Sequence, residues 1–290
     1  MKKLTISIVN YNSGEYLINC LNSLKKLKNE LDFDVWVIDN NSVDNSINRA
    51  KSIFPDFNYL VNRKNLGFGK AHNQILKKAK TPFLLTLNPD TEIPLGTLKY
   101  ILSYMEKNPD VGISTPRVEK PDGKLDKACH RGFPTPRASF EYFFLKNDKK
   151  YHLTDRDMTK IHEIDSCVGA FMFIRSSVLE KVGYFDEDYF LYGEDIDLCF
   201  RIKKAGLKIM YLPDVKVLHA KGISSGIKKE SSSNSKASQE TKSASVNYFN
   251  EVMGIFYKKH YAKKYPFFIN WLVYLGINLK SSMTKIKKTV

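Results

Sequence analysis

Short apolar runs alternate with helically spaced apolar positions over the first 115 residues of the chain. Leu4–Val9, Phe33–Asp39, Asn58–Val61, Phe83–Leu87 and Val111–Ser114 read as strands. Between them, Tyr16–Leu27, Asp44–Ile53, Lys70–Ala79 and Leu95–Glu106 carry apolar residues at the spacing of one helix face. Such βα alternation predicts an α/β fold with a mostly parallel sheet and helices on both faces. Asn12-Ser13-Gly14 reads as a turn and cap before the first helix. Lys80-Thr81-Pro82 stops the third.

From Pro116 to Ile164 the pattern dissolves into proline, glycine, charge and scattered aromatics. It returns with Cys167–Ile174 as a strand, Ser177–Val182 as a short helix, and Glu194–Ala205 as a helix capped by Gly206. A further apolar run, Val215–Leu218, ends at His219. The Ser- and Lys-rich stretch around Ser231-Ser232-Ser233 predicts a mobile loop over 223–245, and the chain beyond it reads as helical. The expected division is therefore a main domain over 1–222, with halves 1–115 and 116–222, then the loop and a helical tail over 246–290.

Charge changes the picture mainly at the tail. Residues 221–290 hold 13 lysines against three glutamates, so +10 of the net +15 lies there. No nucleic-acid motif accompanies these lysines. The same tail contains the apolar stretch Pro266–Leu279, flanked by Lys263, Lys264, Lys280 and Lys285. It falls short of the ~20 residues needed to cross a bilayer, so an interfacial anchor on an anionic membrane is expected. Four cysteines, Cys20, Cys129, Cys167 and Cys199, lie far apart without a Cys-x-x-Cys pair, which suits a reducing compartment. Met1-Lys2-Lys3 imitates a signal peptide, but the following apolar run breaks at Asn10-Tyr11-Asn12 and reads better as a first strand.

Candidate chemistry gathers where strands end, the rim at which open α/β sheets bind ligands. Tyr11 can stack on a base while Asn10 or Asn12 bonds its edge, or the three form a simple turn. Asp39 can accept from a base or ribose, and an Asx turn into the next helix is compatible with that. Asn65-Leu66-Gly67-Phe68-Gly69-Lys70 enters a helix and offers N–H groups to a phosphate, with Arg63 or Lys70 adding charge; it lacks the full G-x-G-x-x-G and is equally a tight turn. Asn88-Pro89-Asp90-Thr91 reads as a turn in isolation, or Asp90 ligates a hard cation such as Mg²⁺ or Mn²⁺ alongside substrate phosphates. Glu194 and Asp195 open a helix whose positive end favours carboxylates, and Asp197 is placed to pair with Arg201 at i,i+4.

In order, Asn10-Tyr11-Asn12, Asp39-Asn40-Asn41-Ser42, Asn65–Gly69, Asn88-Pro89-Asp90, Gly169-Ala170, Gly193-Glu194-Asp195 and His219 resemble the family-two glycosyltransferases over residues 4–222. Leu87-Asn88-Pro89-Asp90-Thr91 and Tyr192–Cys199 resemble that family's rhamnosyltransferase-like branch. The resemblance implies a GT-A fold and an inverting, metal-dependent enzyme of bacterial cell-surface polysaccharide assembly, at the inner face of the cell membrane. It implies a nucleotide-sugar donor on Asn10, Tyr11, Asn12, Asp39, Asn65, Lys70, Asn88 and Asp90. It further implies a metal on Asp90 and His219, Asp195 as catalytic base, and Gly169, Ala170 and Glu194 on the acceptor side. Its acceptor is expected to be a glycan or polyprenyl-diphosphate-linked sugar. The donor expected is deoxythymidine diphosphate L-rhamnose, with a uridine diphosphate hexose as runner-up. One departure stands out: the family's Asp-x-Asp has Asn88 at its first position, which removes a charge. A nucleotidyltransferase would show a basic Gly-rich loop after the first strand, where this chain has Tyr11-Asn12-Ser13-Gly14. A non-enzymatic basic binding module would leave Asp90, Asp195 and His219 without a role.

Overall fold

The computed structural model describes residues 2–220 and 239–289. In those residues the strands are β1 (Leu4–Asn10), β2 (Phe33–Asp39), β3 (Asn58–Val61), β4 (Phe83–Leu87), β5 (Thr91–Glu92), β6 (Val111–Glu119), β7 (His162–Ile164), β8 (Phe171–Arg175) and β9 (Lys208–His219). The helices are α1 (Glu15–Leu27), α2 (Ser46–Ile53), α3 (Phe68–Leu76), α4 (Thr97–Lys107), α5 (Pro136–Phe144), α6 (Lys149–His152), α7 (Ser176–Val182), α8 (Glu194–Lys204), α9 (Gln239–His260) and α10 (Phe267–Thr289).

The strands join in one sheet ordered β3-β2-β1-β4-β8-β6-β9-β5, with β7 also on β9. The α/β class is as expected, but the sheet is mixed and not mostly parallel. Pairs β1–β2, β1–β4, β2–β3 and β6–β9 are parallel, whereas β4–β8, β6–β8, β5–β9 and β7–β9 are antiparallel. Strand β8 runs against both neighbours, and the short β5 and β7 run against β9. The entrance of β8 therefore lies at the carboxyl edge of β4, with Phe171 opposite Leu87.

Continuous apolar runs became strands because both sheet faces are covered. Leu4, Ile6, Ile8, Val35, Val37, Leu85 and Leu87 are almost wholly buried. Helix α1 turns Leu17, Leu21 and Leu24 onto that sheet. Buried hydroxyls in β1 are satisfied internally: Ser7 Oγ lies 2.8 Å from His72 Nδ1, and Thr5 Oγ1 accepts from Thr81 Oγ1 at 2.9 Å. Burial pushes His72 down to about 3, leaving a neutral ring.

Several boundaries differ from the sequence expectation. β6 runs on through Pro116 to Glu119, its register against β9 shifting at Pro116/Arg117; a bulge is how a strand carries proline. β9 begins at Lys208, seven residues before the apolar run that marked it. Residues 167–170 precede β8 instead of belonging to it. Gly14, not a polar side chain, caps α1, and its N–H donates to Asp44 Oδ2 from the next loop at 2.8 Å. The stretch 116–165 contains α5, α6 and β7. Most of the loop expected at 223–245 lies outside the described residues, and from Gln239 the chain is already helical.

The tail does not hang off the main domain. Phe256, Tyr257 and Tyr261 form an apolar cluster with Tyr189 and Ile196, and His260 Nε2 sits 2.6 Å from Asp197 Oδ1. No helix among the described residues is long and apolar enough to cross a membrane.

The sharpest steric demand falls at Gly67. Its φ is +80°, and a Cβ there would lie 2.2 Å from the Phe190 carbonyl oxygen. Gly206 has a φ of +83° with open space around it. Alanine at Gly206 should cost only the left-handed strain, ~1–2 kcal/mol. Alanine at Gly67 should cost a further ~1–3 kcal/mol from overpacking against backbone. Urea midpoints at unchanged m-value test the ranking; equal losses would refute it.

Candidate functional site

The carboxyl ends of β1, β2, β4 and β9 and the entrance of β8 share one edge of the sheet, and the candidate residues gather there. Asn10 pairs in register with Asp39. Its Nδ2 donates to Asp39 Oδ1 at 2.7 Å and lies within 3.1 Å of the Ser42 and Ser46 hydroxyls. Asp39 Oδ2 accepts from the Ser42 N–H at 3.0 Å, the Asx turn expected from the sequence. Asn10 is fully buried and holds Asp39 from behind, while its own Oδ1 has no hydrogen-bond partner among the described residues. Asn12, at φ 51°, is likewise a loop organiser: its Oδ1 accepts from Val43 N–H at 2.8 Å and its N–H donates to Ser42 Oγ at 2.9 Å. Tyr11 between them is half-buried.

The Asn65–Lys70 loop is a packing joint, with two of its N–H groups already bonded within the protein. The Phe68 N–H donates to Phe190 O at 2.9 Å, and the Gly67 N–H to Asn65 Oδ1 at 2.9 Å. A Cβ on Gly69 would stand 2.9 Å from Phe185 Cβ. Lys70 pairs with Glu187 at 3.2 Å. These contacts lock α3 to residues 185–190, the segment that leads into α8.

Beyond β4, the Thr91 N–H closes a turn on Asn88 O at 3.2 Å, and Thr91 pairs across the sheet with His219. The turn aims Asp90 at the histidine: Asp90 Oδ1 lies 3.2 Å from His219 Nε2, and Asn88 Nδ2 lies 3.3 Å from the same nitrogen. Asp126 Oδ2 stands 3.6 Å from His219 Nδ1. Burial opposes charge on this ring, but Asp90 and Asp126 outweigh it and raise His219 to about 9. Asp90 and His219 offer one hard oxygen and one imidazole nitrogen converging on a point, with a carboxylate behind the ring to orient it. Among the described residues no three His, Cys, Asp or Glu form a complete metal cage. The pair therefore fits a cation whose remaining ligands come from substrate phosphates and water, and binding it requires His219 to shed its proton.

Asp195 stands in the first turn of α8. Its Oδ2 accepts from Arg131 Nη2 at 2.8 Å and from the Gly169 N–H at 3.1 Å. Both side chains are nearly closed off from solvent, at 11% and 9% exposure. Burial disfavours charge on Arg131, yet Asp195 more than compensates and its pKa is held above the ordinary value. Neighbouring Glu194 is buried, and burial, then repulsion from Asp195, raises it well above the usual carboxylate range. Asp197 accepts from Arg201 Nε at 2.8 Å, the structural i,i+4 pair expected. Gly169 and Ala170 connect the two ends of the site: while Gly169 donates to Asp195, Ala170 O accepts the Asn88 N–H at 3.1 Å.

Arg131 and Asp126 escape the sequence reading. Both lie in the aperiodic 116–165 stretch, and their partners are 64 and 93 residues away. The only available signal was a charged Asp126–Arg131 segment with buried Cys129 and His130 between them.

Among known proteins, the family model described as Glycosyl transferase family 2 matches residues 5–183. An N-acetylglucosaminyl-diphospho-decaprenol L-rhamnosyltransferase of Mycobacterium tuberculosis is 29% identical over 240 residues, 77% of this chain and 78% of that protein. Rhamnosyltransferase WbbL of Escherichia coli K12 is 30% identical over 161 residues, 53% of this chain and 60% of that protein. The crystal structure of S. aureus TarS 1–349 in complex with UDP-GlcNAc aligns with a TM-score of 0.54 at 20% identity, covering 88% of this chain and 66% of that one. The chain spans 44% of a longer TarS chain. At such identity the TarS likeness is one of fold alone.

The geometry at α8 has two measurable consequences. Arg131→Ala strands a buried carboxylate and should cost ~3–5 kcal/mol. Arg131→Lys keeps the charge without the planar fork, so the fold should survive while turnover falls more than substrate affinity. Unchanged kcat in Arg131→Lys would remove the positioning role. Glu194 binds its proton more tightly folded than unfolded, so its contribution is complete below its ordinary value of 4.5 and is lost as pH rises through the raised folded value. Glu194→Gln should flatten the decline of urea stability with rising pH; parallel profiles would contradict that assignment.

Proposed function

The chain belongs to the family 2 glycosyltransferases, and from that premise we propose that it transfers L-rhamnose from deoxythymidine diphosphate L-rhamnose with inversion. The acceptor in this reading is a glycan or a sugar on polyprenyl diphosphate. The observation that carries it is the buried Asp195 carboxylate, fixed by Arg131 and the Gly169 N–H and tied through Ala170 to the Asn88–Asp90–His219 end. Two relatives named as rhamnosyltransferases support the sugar, and the mycobacterial one, named for a diphospho-decaprenol substrate, supports the lipid-linked acceptor.

In the reaction Asp195 accepts the proton of an acceptor hydroxyl as that oxygen bonds to the anomeric carbon. The bond from that carbon to the diphosphate oxygen breaks on the opposite face, and nucleoside diphosphate departs with the electron pair. Asp39 bonds the donor's base or ribose, and Tyr11 lies beside it to stack. A Mg²⁺ or Mn²⁺ ion held by Asp90 and His219 would neutralise charge on the diphosphate. Asn88 contributes an amide there and no charge, which weakens cation affinity. Helix α10 rests against the inner face of the cell membrane, where a lipid-linked acceptor is found.

A panel of nucleotide sugars, assayed for binding and for release of nucleoside diphosphate with Mg²⁺, Mn²⁺ or chelator, tests this reading. Deoxythymidine diphosphate rhamnose should respond best and only with metal. Asp195→Asn should lose on the order of 10²-fold in turnover and still bind the donor. Preference for a uridine diphosphate hexose would replace the donor assignment, and wild-type turnover in Asp195→Asn would remove the base.

A further inference from the structure

We propose that α5 and α10 together form a single face that docks on an anionic lipid bilayer. This rests on the peripheral-membrane reading above for α10 and adds a second helix from the main domain. On α10 the solvent side is apolar: Phe267, Phe268, Trp271, Leu272, Leu275 and Leu279 are 84%, 52%, 64%, 53%, 40% and 51% exposed. Their spacing traces one stripe along the helix. A helix on a water-facing surface turns its polar side outward; here the order is reversed.

The reversal is held in place from within. Val273 packs on the aromatic cluster of α9. Asn270 Nδ2 donates to Ala262 O at 3.0 Å and Tyr265 O at 3.2 Å, and its Oδ1 accepts the Tyr257 hydroxyl at 2.6 Å. The helix therefore cannot roll its apolar stripe inward without breaking three hydrogen bonds.

Helix α5 presents the same chemistry. Phe140 and Phe144, one turn apart, stack at 5.5 Å and stay 55% and 45% exposed, and Leu145 beyond them is 61% exposed. The two helices meet where Lys280 Nζ of α10 lies 4.9 Å from the centre of the Phe143 ring. Exposed lysines adjoin both helices in the chain: Lys146 and Lys149 after α5, Lys263 before α10.

These flanks decide the occupant. Apolar and aromatic side chains bordered by lysine match the acyl boundary and anionic headgroups of a bilayer. A second copy of the chain would set lysine against lysine. With no helix of the described residues able to span, α10 lies in the plane of the interface. The arrangement also links the 116–165 segment to catalysis, because Arg131, which holds Asp195, is five residues from the start of α5. A docked α5 therefore keeps the base close to acceptors that are themselves embedded in the membrane.

The test is flotation of the full chain with phosphatidylcholine vesicles, with and without phosphatidylglycerol. Wild type should float with the anionic vesicles only. Phe140→Ser/Phe144→Ser/Leu145→Ser should weaken partitioning at least about tenfold, and Trp271→Ser/Leu275→Ser/Leu279→Ser at least as much. Thermal midpoints should not move, since all six side chains are exposed. Both variants should keep wild-type transfer to a water-soluble acceptor and lose it on a vesicle-embedded one. An α5 variant that floats like wild type overturns the two-helix face. So does equal flotation with neutral vesicles, or a concentration-dependent dimer that the same substitutions dissolve. Flotation is read without any sugar donor, so absent transfer with intact flotation defeats the proposed reaction and leaves the docking face standing.

Discussion

A carboxylate whose side chain is 9% exposed must be compensated where it stands, because water can no longer do it. For Asp195 the compensation comes from three directions: the Arg131 guanidinium, the Gly169 N–H, and the Ile196 N–H that donates to its Oδ1 at 2.8 Å. Each donor arrives on a different piece of chain, and each constrains that piece. Arg131 ties the irregular 116–165 segment to α8. Gly169 fixes the approach to β8, which has to enter the sheet antiparallel for its N–H to lie at the carboxyl edge. The mixed sheet and the burial of Asp195 are thus one requirement seen at two scales.

That requirement explains which parts of the protein are legible from sequence. Strand ends at Asp39, Asn88–Asp90 and His219 are readable because a doubly covered strand must be apolar until it leaves the core, and the change to polar residues marks the rim. Helices α1 and α4 are readable from a single buried face. Arg131 is not, since an arginine in an aperiodic stretch carries no sign of a partner 64 residues away. The Gly67–Lys70 loop is ambiguous in sequence for a related reason. Glycines before a helix suit phosphate binding and close packing alike, and the Phe190 carbonyl against Gly67 and Phe185 against Gly69 supply a packing demand for both. Asn10 and Asn12 show the same ambiguity among amides: both sit at the expected rim, Asn12 bonds the neighbouring loop through both its N–H and its Oδ1, and Asn10 spends its Nδ2 on Asp39, Ser42 and Ser46.

The tail repeats the lesson at the level of domains. A composition break near residue 223 predicts a catalytic body with an appendage. Instead α9 reaches back, setting His260 on Asp197 and Lys259 on Asp186 and Asp188. Burial works against charge on Asp197, but His260 and Arg201 hold its pKa below the ordinary carboxylate value. One face of α8 is therefore occupied by the C-terminal helices while its first turn carries Glu194 and Asp195.

Contact continues to the turn before α8. A Cβ on Gly193, at φ +80°, would fall 2.3 Å from Val252 Cγ1 of α9, so the left-handed turn that starts α8 is closed from outside by the tail. The same α9 cluster supports α10 through Val273. A load borne by α10 is consequently applied to a body that already includes the residues around Asp195, with no free hinge among the described contacts between α8, α9 and α10. For the lipid-linked acceptor proposed above, these contacts favour a rigid seat over a loose tether, because orientation and not mere concentration is what packed helices can impose.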